Sequence, residues 1–323
     1  MSNIIRSPLL TKFSKALNSK ILLFRHGESF YNKTIRDFQK LKVKNPAEYK
    51  TKITETRFNP SLSDCNLTEN GEFQSYDAGK KLEGLNIKYI FTSPLLRALQ
   101  SCESIIKGYL DVHKVIDKTT GKTIKAIKAP KVIVNPLLFE KIQVTCDIIP
   151  NIYKNMEAFP EYDWNDFKAL KQETLPIYML NYCDTIIDIK TKKVKFSTDN
   201  PYFNLSLKYF KQNLKFNHQG IVLQAMEELH QENVFIESSV KTYDRLVEFK
   251  TNLKNFLNQN ELKNDEKILI VGHSVLFKLL STQNLYEDTL DPVLDEVNYI
   301  HLSNGELASL FFDDENLFKN LKI

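Results

Sequence analysis

The stretch ILLFRHGESFYN, residues 21–32, decides how the chain is read. Four apolar residues, Ile21 to Phe24, are too few for a helix and suit a strand buried on both faces. The run ends in Arg25, His26 and Gly27, and a core does not take up an arginine and a histidine unless something partners them. KILIVGHSVLF repeats the pattern, with Ile268 to Val271 leading into Gly272 and His273. Two strands that each deliver a histidine at a glycine turn predict a site beyond the carboxyl ends of a parallel sheet.

The bulk properties narrow what such a site serves. The chain has 323 residues, 42% hydrophobic and 11% aromatic, enough for one large or two small domains with a sizeable core. Its 44 basic and 40 acidic residues leave a net charge of +4, which argues against a nucleic-acid surface and leaves local basic pockets for small anions. Cys65, Cys102, Cys146 and Cys183 are widely spaced, unlike a zinc ribbon or a disulfide scaffold, so a reducing, cytoplasmic setting is expected. No apolar run reaches the roughly 18 to 20 residues that cross a bilayer, so no transmembrane segment is expected. Residues 1–19 read as a basic arm or a targeting segment. They carry Arg6, Lys12 and Lys15, and no acid precedes Glu28, which makes a mitochondrial location the alternative.

The remaining chain alternates strands and helices. Lys33 to Ser61 reads as an exposed polar insertion. Thr68 caps a helix with Phe73, Tyr76, Ala78 and Leu82 inward. A strand at Tyr89 to Phe91 passes through Thr92-Ser93-Pro94 into a helix with Leu96, Leu99, Ile105 and Ile106 inward and Pro94 in its first turn. KVIVNPLLFEKI predicts a third strand ending near Glu140. Residues 149–232 read as a helical insertion packed over the main body, its core including Tyr153, Phe159, Tyr162 and Trp164. Val240 to Leu257 is an amphipathic helix, Leu276 to Leu280 another helix, and NYIHLSNGELASLFF two terminal strands around Asn304 and Gly305. The order predicts an α/β three-layer sandwich with a mostly parallel central sheet over residues 20–323, with insertions at about 33–61 and 149–232.

In that fold Arg25, His26, Glu140 and His273 fall at strand ends, and Ser93 to Arg97 where a strand hands over to a helix. Two arginines and two histidines in one cleft make an anion pocket. A rival reading takes Gly272 to Leu276, GHSVL, as the nucleophile elbow of an α/β hydrolase. Leu276 stands where the sharp turn needs glycine, and that reading leaves RHGES without a purpose.

These segments resemble, in order from about residue 20 to 310, the motifs of the histidine phosphatase superfamily in its phosphoglycerate mutase-like branch. LLFRHGESFYN resembles the Arg-His-Gly signature, NLTENGEFQSYDAGKKL the Leu-Thr-x-x-Gly helix, and FTSPLLRALQSCESI the segment with the second arginine. ESSVKTYDRLVEF is similar to the helix before the second histidine, and ILIVGHSVLF to the strand that carries it. The resemblance implies that His26 attacks phosphorus, that Arg25, Arg97, Asn32 and a charged His273 hold the phosphoryl oxygens, and that Glu140 protonates the leaving group and then activates water. It implies neither a metal nor a cofactor. Glu28 and Ser29 are expected as lesser pocket contacts.

KIQVTCDI after Glu140 departs from the mutase pattern, so a phosphomonoester phosphatase is expected, with a mutase-type phosphotransferase or a non-catalytic phosphatase-fold subunit as alternatives. The acid-phosphatase branch has an arginine where Ser29 stands. The substrate is a phosphorylated small molecule or a phosphoprotein, and the insertions are where a protein partner would bind.

Overall fold

The computed structural model describes residues 20–57, 59–116, 123–125, 127–168, 170, 179, 185–188, 193–196, 237, 239–281, 301–312 and 318–322. The expected arm at 1–19 and most of the second insertion lie outside these residues. β1 (Ile21–Arg25) is followed by α1 (Phe30–Lys44), α2 (Pro46–Arg57) and α3 (Glu69–Lys80), then β2 (Asn86–Thr92) and α4 (Leu96–His113). Two short strands, β3 (Val115–Ile116) and β4 (Thr123–Lys125), form a ribbon before β5 (Lys131–Val134). Next come α5 (Ile152–Ala158), α6 (Asn165–Lys168) and a second ribbon of β6 (Thr185–Asp188) and β7 (Lys193–Phe196). α7 (Ser239–Gln259), β8 (Glu266–Gly272), α8 (Ser274–Leu280), β9 (Leu307–Phe312) and β10 (Phe318–Lys322) complete the described chain.

The main sheet runs β10-β9-β1-β8-β2-β5. β1, β8, β2 and β5 are parallel neighbours, and β9 and β10 extend the sheet as an antiparallel edge. Side-chain alternation splits β1 and β8 between two cores. Leu22, Phe24, Leu269 and Val271 pack with Ala78, Leu99 and Ile105 of α3 and α4. Ile21, Leu23, Ile268 and Ile270 pack with Leu246, Phe249 and Phe277 of α7 and α8. The result is the expected α/β sandwich with a mostly parallel sheet. Pairing of β1 with β8 aligns Arg25 with Gly272, so His26 and His273 leave the sheet side by side.

Several boundaries differ from expectation. The third strand stops at Val134, because Asn135-Pro136 turns the chain into a short 3-10 helix over Pro136–Leu138, and Glu140 stands in the loop beyond. Pro94 precedes the α4 N-cap, Leu95, rather than lying in the first turn. Phe73 is 66% exposed, and α3 buries Gly71, Ser75, Ala78 and Gly79 instead, small residues that admit the loop after β1 at Gly71 and Ser75 and α4 at Gly79. A side chain at Gly79 or Gly108 would strike the backbone of the opposite helix.

Lys33 to Ser61 is exposed as expected but helical, with no buried residue in α1 and only Thr56 in α2. Tyr153 is exposed, whereas Phe159, Tyr162, Trp164 and Phe167 join the core beside α4. The β-branched run Thr185 to Ile187 forms a strand where helix was expected. The terminal strands are β9 and β10. Asn304 and Gly305 form a turn before both, not between them.

Candidate active site

The loop after β1 is held by neighbours on both sides. Gly27 and Gly71 meet backbone to backbone, and a Cβ on either would collide with the other's loop. The Gly27 N–H donates to Ser101 Oγ at 3.1 Å. Asn304 Nδ2 donates to the carbonyls of His26 at 3.1 Å and Gly27 at 3.3 Å, and the Gly305 N–H donates to the Arg25 carbonyl at 3.2 Å.

His26, 4% exposed, lies within this frame. Its Nδ1 is 2.7 Å from the Gly27 carbonyl, which only accepts, so Nδ1 carries the proton. Arg97 Nε–H donates to Nε2 at 3.2 Å, which requires a bare lone pair there. The two contacts assign one tautomer: Nδ1–H held by the backbone, Nε2 nucleophilic. Burial, with Arg97 and Arg25 nearby, pushes the His26 pKa well down, so the ring stays neutral.

Arg97 is buried on α4. Nη1 donates to the Cys146 carbonyl and Nη2 to Asp147 Oδ1 at 3.0 Å, so three of its five N–H donors are committed within the protein. Arg25 Nη1 donates to the Leu302 carbonyl at 2.8 Å.

His273 is fully buried, its ring 5.1 Å from that of His26, with Nε2 2.7 Å from Ser93 Oγ. Burial, then Arg97, His26 and Arg25, lower its pKa well below the usual range. The expectation of a charged His273 is therefore corrected: it is a neutral donor, because burial among cations disfavours another positive charge. Among the described residues Arg25 Nε and His273 Nδ1 are buried without a hydrogen-bond partner.

Glu140 comes close from the opposite side. Its Oε1 accepts from the N–H groups of Lys141 at 2.9 Å and Leu276 at 3.0 Å, and its Oε2 from Val275 at 3.2 Å, which seats the carboxyl on the first turn of α8, next to His273. Burial and repulsion from Asp147 raise its pKa to about 7, against the hydrogen bonds and Arg97. Asp147 is itself raised by burial, although Arg97 and the Gln143 and Val144 N–H groups work the other way.

The structure thus brings together Arg25, His26, Arg97 and His273, with Glu140 linked through Arg97 and α8. Asn32 also serves the backbone of the loop. It is the third residue of α1, and its Oδ1 accepts from the Ser29 N–H, Ser29 Oγ and Asn304 Nδ2 as part of a capping box. Ser29 is spent on that cap. Glu28 accepts from Thr68 Oγ1 at 2.9 Å and pairs with Arg36, so neither Ser29 nor Glu28 is the pocket contact expected.

Sequence reasoning missed Asp147, which anchors Arg97, and placed Ser93 at the strand-to-helix handover without its part in holding His273. Asp147 lies in the segment that departs from the mutase pattern, and only the position of the following loop reveals it. Among the described residues no group of three His, Cys, Asp or Glu side chains is placed to hold a metal ion, and no helix is long and apolar enough to cross a membrane.

The family model of the histidine phosphatase superfamily (branch 1) matches residues 51–118, a span that holds α3, β2 and α4 with Arg97, but not His26 or His273. The chain resembles that superfamily, as its motifs implied, and the match supports an enzyme of the phosphatase type. No curated protein matches the sequence. Solved structures similar to it include Bacillus stearothermophilus YhfR, with 15% identity, 94% of this chain and 95% of that one covered, and a TM-score of 0.42. A mycobacterial glucosyl-3-phosphoglycerate phosphatase shares 14% identity, with 94% and 97% covered and a TM-score of 0.42. A phosphoglycerate mutase from Bacillus anthracis str. Sterne shares 12%, with 96% and 95% covered and a TM-score of 0.44.

Proposed function

We propose that this protein is a phosphomonoester phosphatase that works through a phosphohistidine at His26. The observation that carries the reading is the setting of His26: a buried imidazole whose Nδ1 lies on the Gly27 carbonyl and whose Nε2 accepts from Arg97 Nε, contacts that assign the proton to Nδ1 and leave Nε2 unprotonated beside the second histidine. A phosphoryl oxygen at this point would accept from Arg25 Nε and His273 Nδ1, the two site atoms without a partner, and from the remaining Arg97 donors. Asn32 would join only through its carboxamide nitrogen, since its oxygen is engaged.

In the first step the Arg97 Nε–H hydrogen bond passes from Nε2 to a phosphoryl oxygen, the freed Nε2 lone pair attacks phosphorus, the ester P–O bond breaks, and the leaving oxygen takes the Glu140 proton. A carboxyl with a pKa of about 7 still carries that proton near neutral pH. In the second step the Glu140 carboxylate takes a proton from water as the water attacks phosphorus. The P–N bond breaks, phosphate leaves and His26 is neutral again. Nδ1–H stays on Gly27 throughout.

Phosphatase is favoured over mutase because the loop after Glu140 is committed to holding Arg97 through Cys146 and Asp147. The test is product analysis with 3-phosphoglycerate in the presence of 2,3-bisphosphoglycerate, beside a screen of sugar, nucleotide and protein phosphomonoesters with His26→Ala as the blank. Free phosphate from one of these substrates supports the reading. Rapid formation of the 2-phospho isomer with little free phosphate overturns it in favour of the mutase.

A further inference from the structure

Glu140 sits in the loop beyond β5 with its carboxyl on the first turn of α8, and its neighbours in sequence are gripped by Glu237 and by Arg245 of α7. Glu237 and Arg245 are buried at 0% and 2% exposure and form an ion pair at 2.8 Å. Glu237 Oε2 accepts from the Ile142 N–H at 2.8 Å, two residues after Glu140. Arg245 Nη1 donates to the Leu137 carbonyl at 2.6 Å, three residues before it, and the guanidinium lies 3.8 Å from the centre of the Phe139 ring. Lys141 Nζ adds a bond to Ser239 Oγ at 2.8 Å. One ion pair therefore holds the backbone on both sides of the carboxyl.

We infer that Glu237 and Arg245 are positioning residues for Glu140, a clamp that sets the acid against the leaving-group side of the phosphoryl site. The inference rests on the reading of Glu140 as the acid–base group. A buried ion pair is a weak source of stability compared with apolar packing of the same volume, so its distinctive contribution here is direction: each charge is aimed at a backbone group flanking Glu140. Both residues lie in ESSVKTYDRLVEF, Glu237 just before α7 and Arg245 on it, and β8 with the second histidine is the next element.

The test compares p-nitrophenyl phosphate, whose leaving group needs little protonation, with glycerol phosphate, whose leaving group needs much. Glu140→Gln is expected to raise the ratio of kcat/KM values about 100-fold in favour of the nitrophenyl ester. Arg245→Gln and Glu237→Gln are each expected to raise it about 10-fold, to add little in the Glu140→Gln background, and to leave vanadate affinity within about 3-fold. Arg245→Lys should recover part of the loss. If a single variant fails to fold, the paired Glu237→Gln/Arg245→Met protein, which removes both charges together, takes its place. An unchanged ratio, or equal losses on both substrates and on vanadate, overturns the clamp.

If Glu140→Gln itself leaves the ratio unchanged, the acid–base reading has failed and the clamp is judged by carboxyl 13C NMR, with the Glu140 signal assigned by its loss in Glu140→Gln. Titration of that signal moving toward the ordinary glutamate range in the clamp variants supports positioning. An unmoved titration overturns it.

Discussion

Glu140→Gln should make the protein relatively more stable as pH rises. The Glu140 carboxyl is buried against Asp147, and its pKa goes from the ordinary 4.5 to about 7 on folding. The native state then holds the proton more tightly than the unfolded state, so between these two values each rise in pH costs stability, and above about 7 the full cost remains. The rise from 4.5 to about 7 corresponds to at most about 3.5 kcal/mol at ~1.4 kcal/mol per tenfold change in proton affinity, shared with Asp147 because the two carboxyls titrate together.

Glutamine does not ionise, so the variant escapes this cost, while the hydrogen bonds it loses or keeps on α8 weigh equally at every pH. Urea unfolding of both proteins at about pH 4 and about pH 8 measures the effect, with the slopes compared to exclude a change in the unfolded state. The variant-minus-wild-type stability should become more positive by up to about 3 kcal/mol between the two conditions. A difference that stays constant across that range refutes the burial and repulsion from which the shift was argued.

The same carboxyl should give an alkaline limb in turnover of substrates with poor leaving groups, falling above about pH 7 and absent in Glu140→Gln. No acid limb should come from His26, whose ring stays neutral. Asp147→Asn frees Arg97 Nη2 and removes the charge facing Glu140, so pH-rate measurements should find activity down about 10-fold and the alkaline limb moved to lower pH; an unmoved limb would exclude Asp147 as the source of repulsion. Orthovanadate should inhibit and EDTA should not; loss of activity on chelation would replace this chemistry with metal-assisted hydrolysis. Gly71→Ala, which drives a methyl into the Glu28 backbone, should cost about 1–3 kcal/mol in denaturant melts and lower activity with it, and a neutral result would contradict the close contact.

The sheet and its two histidines were legible because the information is local. An apolar run between polar neighbours marks β1 and β8, and glycine marks where each stops. α3 was legible as a helix from its Thr68 cap, but its inward face was not. Hydrophobic periodicity selects Phe73 over Gly71, Ser75 and Gly79, whereas close approach of the loop after β1 to the first two and of α4 to Gly79 selects the small residues. α1 carries a half-buried apolar stripe, Tyr31, Ile35, Phe38 and Leu41, and the Ser29–Asn32 cap, signals that the reading of a polar insertion passed over, whereas α2 has no such stripe and almost nothing buried. The cap uses only the Asn32 oxygen, so the phosphate role that the resemblance implies falls to its carboxamide nitrogen. The anchors Asp147, Glu237 and Arg245 act across 50 and about 100 residues of chain, through a loop whose path no pattern of spacing encodes.

The most direct measurement is a rapid acid-free quench of the enzyme with 32P-labelled substrate, followed by peptide mapping. The account requires label on His26, stable to base and lost in acid, formed and discharged at least as fast as turnover, and absent from a folded, inactive His26→Ala protein. Full turnover by His26→Ala, or labelled enzyme whose phosphate sits on another residue, would contradict it.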